Sequence, residues 1–390
     1  MRPTFHERNE ATVVRVLTNE DIGAVLDYPH AIDALYEGLR AFAAGEAARR
    51  PRVDVLAPAG TPGSYARFTT ADGVVRGGYY ALRLKPEVIG WPEVDGVRRL
   101  SAHNAAPGHY GGFVLLCRTD NAQLVAIIQD RHLQYLRTAA LAGLGARYLA
   151  RPESATLGML GAGGYARSYA RALATVLPLR WIRVWCPTPE HVETYCAELR
   201  ADGLPAEPAA GPDEALDGAD VVSTCTNSLS PVLFARHLRP GTFVCNVSNR
   251  ELDASAREAI TTVGHLAEQP RPLDLGGYQD GNFAIHLNTM CYVAGTKDER
   301  AALPTGSGAG AAFPGKQVSC VDWTTGAARG RTDDAEITFL GDLAGGGAQG
   351  LSSGGLQGVE LAGLAGRAYE LASAAGLGTQ LPDELFLQKD

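Results

Sequence analysis

The sequence predicts an α/β protein in two parts: a parallel sheet covered by helices on both faces, and a second α+β unit beside it. Three observations predict this. From residue 155 onward short apolar strands alternate with helices, the pattern of a sheet buried on both faces. Before that point a helical stretch is followed by five β-like runs. Beyond residue 340 a glycine-rich stretch leads into one more helix. At roughly 150 residues per domain, 390 residues make about two domains.

In order along the chain, residues 18–50 read as helical: Thr18 to Asp21 offers a capping signal, and Val25, Ile32, Leu35, Leu39 and Phe42 fall near helical spacing. The β-like runs are 52–56, 65–69, 79–84, 113–117 and 124–128, with 86–112 between two of them as a long polar loop. Residues 134–150 return to helix, with Leu136, Ala140, Leu144 and Tyr148 on one stripe. The alternating region then supplies strands at 155–160, 181–185, 220–224, 242–247 and 262–267. Residues 268–330 are loop-rich, 336–340 is strand-like, and 359–375 is the final helix. Residues 151–339 are therefore expected to form the second domain. Residues 1–150 form the first, and an economical reading returns about 340–390 to it.

Composition narrows the function. A net charge of −8 argues against a general grip on nucleic acid, which needs clustered Lys and Arg, and weakens any case for an anionic membrane surface. There is no apolar run of membrane-spanning length and no apolar core near the N-terminus to act as a leader. Seven cysteines, an odd number without a CxxC pair, fit reduced thiols in the cytoplasm and give no metal-site spacing.

The sharpest motif is Gly161-x-Gly163-x-x-Ala166, placed after an apolar strand and before a helix. In that context it is the fingerprint of a Rossmann dinucleotide site. Gly161 permits the turn, Gly163 lets backbone approach a pyrophosphate, and Ala166 allows close helix packing. Ala162, Gly164 and Tyr165 complete the loop, whose free N–H groups and helix dipole favour the anion. The next strand runs into Cys186-Pro-Thr188 with no acid to meet an adenosine 2′-hydroxyl, which leans towards NADP over NAD. Thr188 is either a hydrogen-bond donor there or simply the cap of the helix that follows. Thr224, Cys225, Thr226 and Asn227, at the carboxyl end of a later strand, are candidates to line the nicotinamide side.

Three segments together resemble the ornithine cyclodeaminase/mu-crystallin family: Leu136-Arg-Thr-Ala-Ala through Pro152, the glycine loop, and Ser223-Thr-Cys-Thr-Asn-Ser-Leu-Ser-Pro231. The residues from Gly376 to Gln388 resemble the family's ending. The resemblance implies a substrate domain split between the N-terminal region and the last helix, homodimerisation through that domain, and a small amino, imino or keto acid as substrate. It implies hydride transfer between nicotinamide and an amino or imino carbon. Arg137, with Thr138 beside it, matches the family's residue near cofactor phosphates and substrate carboxylate, and Arg52 matches its carboxylate-binding arginine. The family's catalytic lysine aligns with Arg83, and Lys85 follows two residues later on the same strand face. The family's catalytic aspartate is replaced, Asn249 standing nearest, which argues against ammonia elimination and for imine reduction or amino-acid dehydrogenation. His109, with Tyr110 beside it, is an alternative proton carrier. A non-catalytic nucleotide-binding role is a competing reading, and a serine hydrolase, from the GxSxG string at 350–354, a remote one.

Overall fold

The computed structural model describes residues 13–94, 97–98, 101–228, 230–248, 251–266, 290–303, 313–341 and 356–388. Asn249, the 305–312 glycine run and the 350–354 string lie outside them.

Two sheets organise the chain. In the first the strand order is Met290–Val293, Ala47–Pro58, Tyr65–Val75, Tyr79–Gly90, Phe113–Arg118, Leu124–Gln129, Val13–Leu17 and Thr379–Pro382, with Ser101–His103 pairing off Tyr79–Gly90. Alternate residues of its strands, such as Ala71, Ala81, Val114 and Leu116, are buried on one face. The helices Tyr28–Ala43 and Gln357–Ala374 pack on this sheet. The last helix comes close enough that a Cβ on Gly73 or Gly358 would strike the other segment's backbone. The second sheet is parallel at every pairing: Ala206–Pro208, Trp181–Trp185, Thr156–Leu160, Val221–Thr224, Phe243–Asn246, Thr338–Gly341, Thr262–His265 and Lys316–Ser319, in that order. This is the expected α/β, Rossmann-like sheet. One core cluster runs through both sheets, from Leu17, Ala81 and Val114 to Leu157, Ile182 and Val184.

The structure corrects several sequence expectations. The single helix over 18–50 is two helices, Asn19–Val25 and Tyr28–Ala43, followed by strand from Ala47. Leu26 is extended, and Asp27 restarts the helix by accepting from the His30 N–H, with Pro29 in the first turn. The loop expected over 86–112 is partly strand, because Tyr79–Gly90 continues through Pro86. Pro86 lies where the neighbour Phe113–Arg118 has already ended at Leu84 and Ser101–His103 has not begun, so its missing N–H costs little pairing on that side. The span 151–339 is also not one block, since Met290–Val293 pairs with Ala47–Pro58 in the first sheet. Among the described residues no helix is long and apolar enough to cross a membrane.

Candidate functional site

The glycine loop has the geometry the motif predicts. Gly161 has φ +103°, and a Cβ there would run into the Cys225 carbonyl, so only glycine fits the turn. A Cβ on Gly163 would meet nothing within 4 Å, which leaves open space in front of the turn. Gly163 caps the helix Gly164–Ala174 without a side-chain bond, and Ala166 is fully buried beneath it. A tight turn, a clear approach and an uncapped helix start fit a dinucleotide pyrophosphate.

The strand-end residues are arranged by a carboxylate that the sequence reading missed. Glu251 is fully buried and accepts from the Thr224 hydroxyl (3.0 Å), the Thr226 N–H (2.6 Å) and the Ser248 N–H (3.2 Å). Burial raises its pKa, against those donors. Its role is to hold the loop that follows Val221–Thr224. Cys225 is half-buried, its thiol pKa is pushed well up by desolvation, and it contributes its carbonyl next to Gly161. Asn227 is exposed. Thr138 spends its hydroxyl on its own helix, at Gln134 O and Tyr135 O, both 3.2 Å away. Thr188 precedes the helix Pro189–Ala201 but makes no side-chain cap bond, so capping does not occupy its hydroxyl.

A second group of residues lies on the inner face of the first sheet. Asp54, Thr69 and Lys85 are cross-strand neighbours, as are Arg67 and Glu87, and Arg83 stands beside Lys85 on the same face. Arg52 pairs with Asp54 (3.1 Å) and donates to Thr69 (3.1 Å), and burial lowers its pKa. Arg67 pairs with Glu87 while keeping one Nη1 without a partner among the described residues. Lys85 Nζ lies 2.7 Å from the same Glu87. Burial, aided by Arg67 and Arg83 and opposed by Glu87, lowers the Lys85 pKa to about 8. Glu87 is itself held below the usual carboxylate range, Arg67 and Lys85 outweighing its burial. Arg83 donates to Asp130 (2.5 Å) and to the Tyr110 hydroxyl (3.1 Å). Burial opposes its charge most strongly, but Asp130, with Tyr110 and Tyr165, outweighs it and raises its pKa.

Tyr110, not His109, is the residue this loop sends into the cluster. Its ring has Lys85 Nζ 5.4 Å and the Arg131 guanidinium 5.2 Å from its centroid. Burial raises the phenol pKa, so it stays protonated. His109 is exposed, and its ring makes no hydrogen bond among the described residues. Arg137 lies elsewhere. It is buried in the helix Asp130–Leu149, ion-paired with Glu360 of the last helix and bonded to Gln134 (3.1 Å).

The two groups meet through aromatic rings. Tyr165, in the first turn after the glycine loop, packs edge-on against Tyr135 at 4.8 Å. Tyr135 also fills the space a Cβ on Gly164 would need, its ring carbon 2.7 Å away. The Tyr135 hydroxyl accepts from Arg131 Nε (3.1 Å), and Arg131 in turn lies over Tyr110. A dinucleotide-type turn is thus joined by contact to a cation-rich sheet face bearing a lysine whose pKa is lowered to about 8.

A family model described as the ornithine cyclodeaminase/mu-crystallin family matches residues 102–344, more than half of the chain. The chain belongs to that family. It is 35% identical over 181 residues to Delta(1)-pyrroline-2-carboxylate reductase of Paracoccus denitrificans, covering 42% of this chain and 57% of that protein. It is 31% identical over 157 residues to ketimine reductase mu-crystallin of Rattus norvegicus, covering 39% and 49%. The chain therefore spans about half the length of the curated relatives it matches. Among solved structures, that of Thermococcus litoralis Delta(1)-pyrroline-2-carboxylate reductase in complex with NADH and L-proline has a TM-score of 0.67 at 17% identity, covering 94% of this chain and 100% of that one. That likeness is one of fold. For an ornithine cyclodeaminase/mu-crystallin family member, the residues that sequence reasoning left out are Asp54, Glu87, Asp130, Arg131, Tyr135, Glu251 and Glu360. The strand period did offer one signal, since it sets Glu87 on the face of Arg83 and Lys85.

Proposed function

We propose that this protein reduces the carbon–nitrogen double bond of a small 2-imino acid, using NADPH in preference to NADH, and catalyses the reverse amino-acid oxidation. The observation that carries this is the contact chain from the glycine loop through Tyr165, Tyr135, Arg131 and Tyr110 to Lys85. When bound, the nicotinamide supplies the hydride. Lys85, as an ammonium with a pKa of about 8, can give a proton to the substrate nitrogen near neutral pH. Glu87 holds that ammonium, and the protonated Tyr110 hydroxyl, fixed by Arg83, is a standing hydrogen-bond donor beside it. With a proton on nitrogen and a hydride on carbon, the double bond becomes an amine without a further reactant. The preference for NADPH rests on the strand end at Cys186 to Thr188, which carries no carboxylate to repel a 2′-phosphate.

The other face of the first sheet exposes Val55 (46%), Phe68 (45%) and Phe113 (37%), the first two directly paired. We assign that apolar face to a second copy of the chain, as a homodimer. Seven free cysteines suit a reducing, cytoplasmic setting.

The test is NADPH oxidation, followed at the nicotinamide absorbance, with a panel of cyclic 2-imino acids and of 2-keto acids supplied with amine. Turnover dependent on the imino acid supports the reading. Ammonia release from ornithine, with no imine reduced, would replace it with a cyclodeaminase.

A further inference from the structure

At one edge of the parallel sheet lies a cleft to which neither the glycine loop nor the lysine cluster contributes a residue. Its volume is about 690 Å³, within the range of small-molecule sites. The strand that lines it, Lys316–Ser319, stands five places along the sheet from Thr156–Leu160, which leads into the glycine loop. At the usual strand spacing that is a separation of roughly 24 Å. Buried Val318 and His265 line the cleft, and Phe42 reaches it from the helix Tyr28–Ala43, so both halves of the chain contribute. Three exposed charged side chains line it as well: Lys316, Asp322 and Arg329.

These charges are unmatched. Several other arginines of the same half meet carboxylates: Arg151 and Arg239 meet Asp220, Arg171 meets Asp202 and Arg183 meets Glu207. In the cleft, neither the Lys316 nor the Arg329 side chain makes an ion pair or a hydrogen bond among the described residues, and the Asp322 carboxylate makes none either. Asp322 shares the cleft with both cations and pairs with neither. The neutral polar groups beside them are already engaged. Gln317 Nε2 donates to the Phe313 and Gly315 carbonyls (3.3 and 2.9 Å), and the Thr332 hydroxyl donates to Glu336 (2.8 Å). The cleft therefore offers a ligand two separate positive groups and one negative group, with apolar surface between them from Phe42, Val318 and Val321. A simple anion would satisfy the cations but face repulsion from Asp322. A molecule with two carboxylates and one ammonium answers all three groups, and its methylenes suit the apolar surface.

We propose that this cleft is a second small-molecule site, binding an amino dicarboxylic acid with its carboxylates at Lys316 and Arg329 and its ammonium at Asp322. The assignment goes beyond the imine-reductase reading and does not depend on it. The test is calorimetric titration of the full chain with L-glutamate and L-aspartate, and saturable binding of at least one is expected. Lys316→Gln, Arg329→Gln and Asp322→Asn should each weaken it about tenfold, the loss of one charge-assisted contact. Glutarate and succinate, which lack the ammonium, should bind the wild type about tenfold more weakly than the matching amino acid and bind Asp322→Asn no more weakly than the wild type. All three positions are exposed, so the variants keep the fold, which circular dichroism verifies. Lys85→Met, altered at the reaction site, should retain the binding. Abolition of binding in that variant would place the probes at the reaction site and overturn the proposal. So would failure of both amino acids to bind the wild type, or equal binding by the wild type and the three cleft variants. Glutarate or succinate binding as tightly as the amino acid, with Asp322→Asn without effect, would make the cleft a plain anion site and overturn the assignment of its ligand.

Discussion

Two residues carry the proposed chemistry and the shape of the site. In the proposed reaction Lys85 acts as an ammonium, so imine reduction should fall as pH rises through about 8, where its proton is lost. A pH profile of kcat/KM checks this, and Lys85→Met should lower the rate by about 10²–10⁴ and abolish that limb of the profile. Glu251 bridges two backbone N–H groups and a threonine hydroxyl from inside the protein. Glu251→Ala strands these donors and should cost about 1–3 kcal/mol in chemical denaturation, with weaker NADPH binding as the loop loosens. Of these two, only Lys85 was legible in the sequence, through a family match. The acids that define its surroundings come from other strands and helices, and their pairing depends on cross-strand register that spacing along one chain does not give.

At the level of elements, the glycine loop and the last helix make contrasting demands. Gly163 faces open space, so Gly163→Val should fold with unaltered stability and lose dinucleotide binding, as calorimetry with NADPH would show. Gly161 is constrained by its own turn and by the Cys225 carbonyl, so Gly161→Val should lower the melting temperature as well. Gly358→Ala brings a methyl against the Asp72 carbonyl, and despite alanine's better helix propensity it should destabilise by about 1–3 kcal/mol. The strands of the parallel sheet and the final helix were legible because burial on both faces, or on one stripe, leaves a plain apolar pattern. The break at Leu26 and the strand continuing through Pro86 were not. The first depends on which residue caps a helix, and the second on where a neighbouring strand happens to end. The placement of Met290–Val293 was hidden because no local pattern names a partner that lies more than two hundred residues earlier.

For the whole molecule, the proposed dimerisation through the outer face of the first sheet predicts that Phe68→Glu yields a monomer by light scattering, with the fold retained by circular dichroism. The course of the chain carries a further consequence. It leaves the first sheet after Leu124–Gln129, returns to it at Met290–Val293, departs for Lys316–Ser319 and Thr338–Gly341, and comes home to finish at Thr379–Pro382. Scissors placed at any one point would therefore not free a self-sufficient nucleotide binder, and grafting either half onto a relative means transplanting interleaved ribbons.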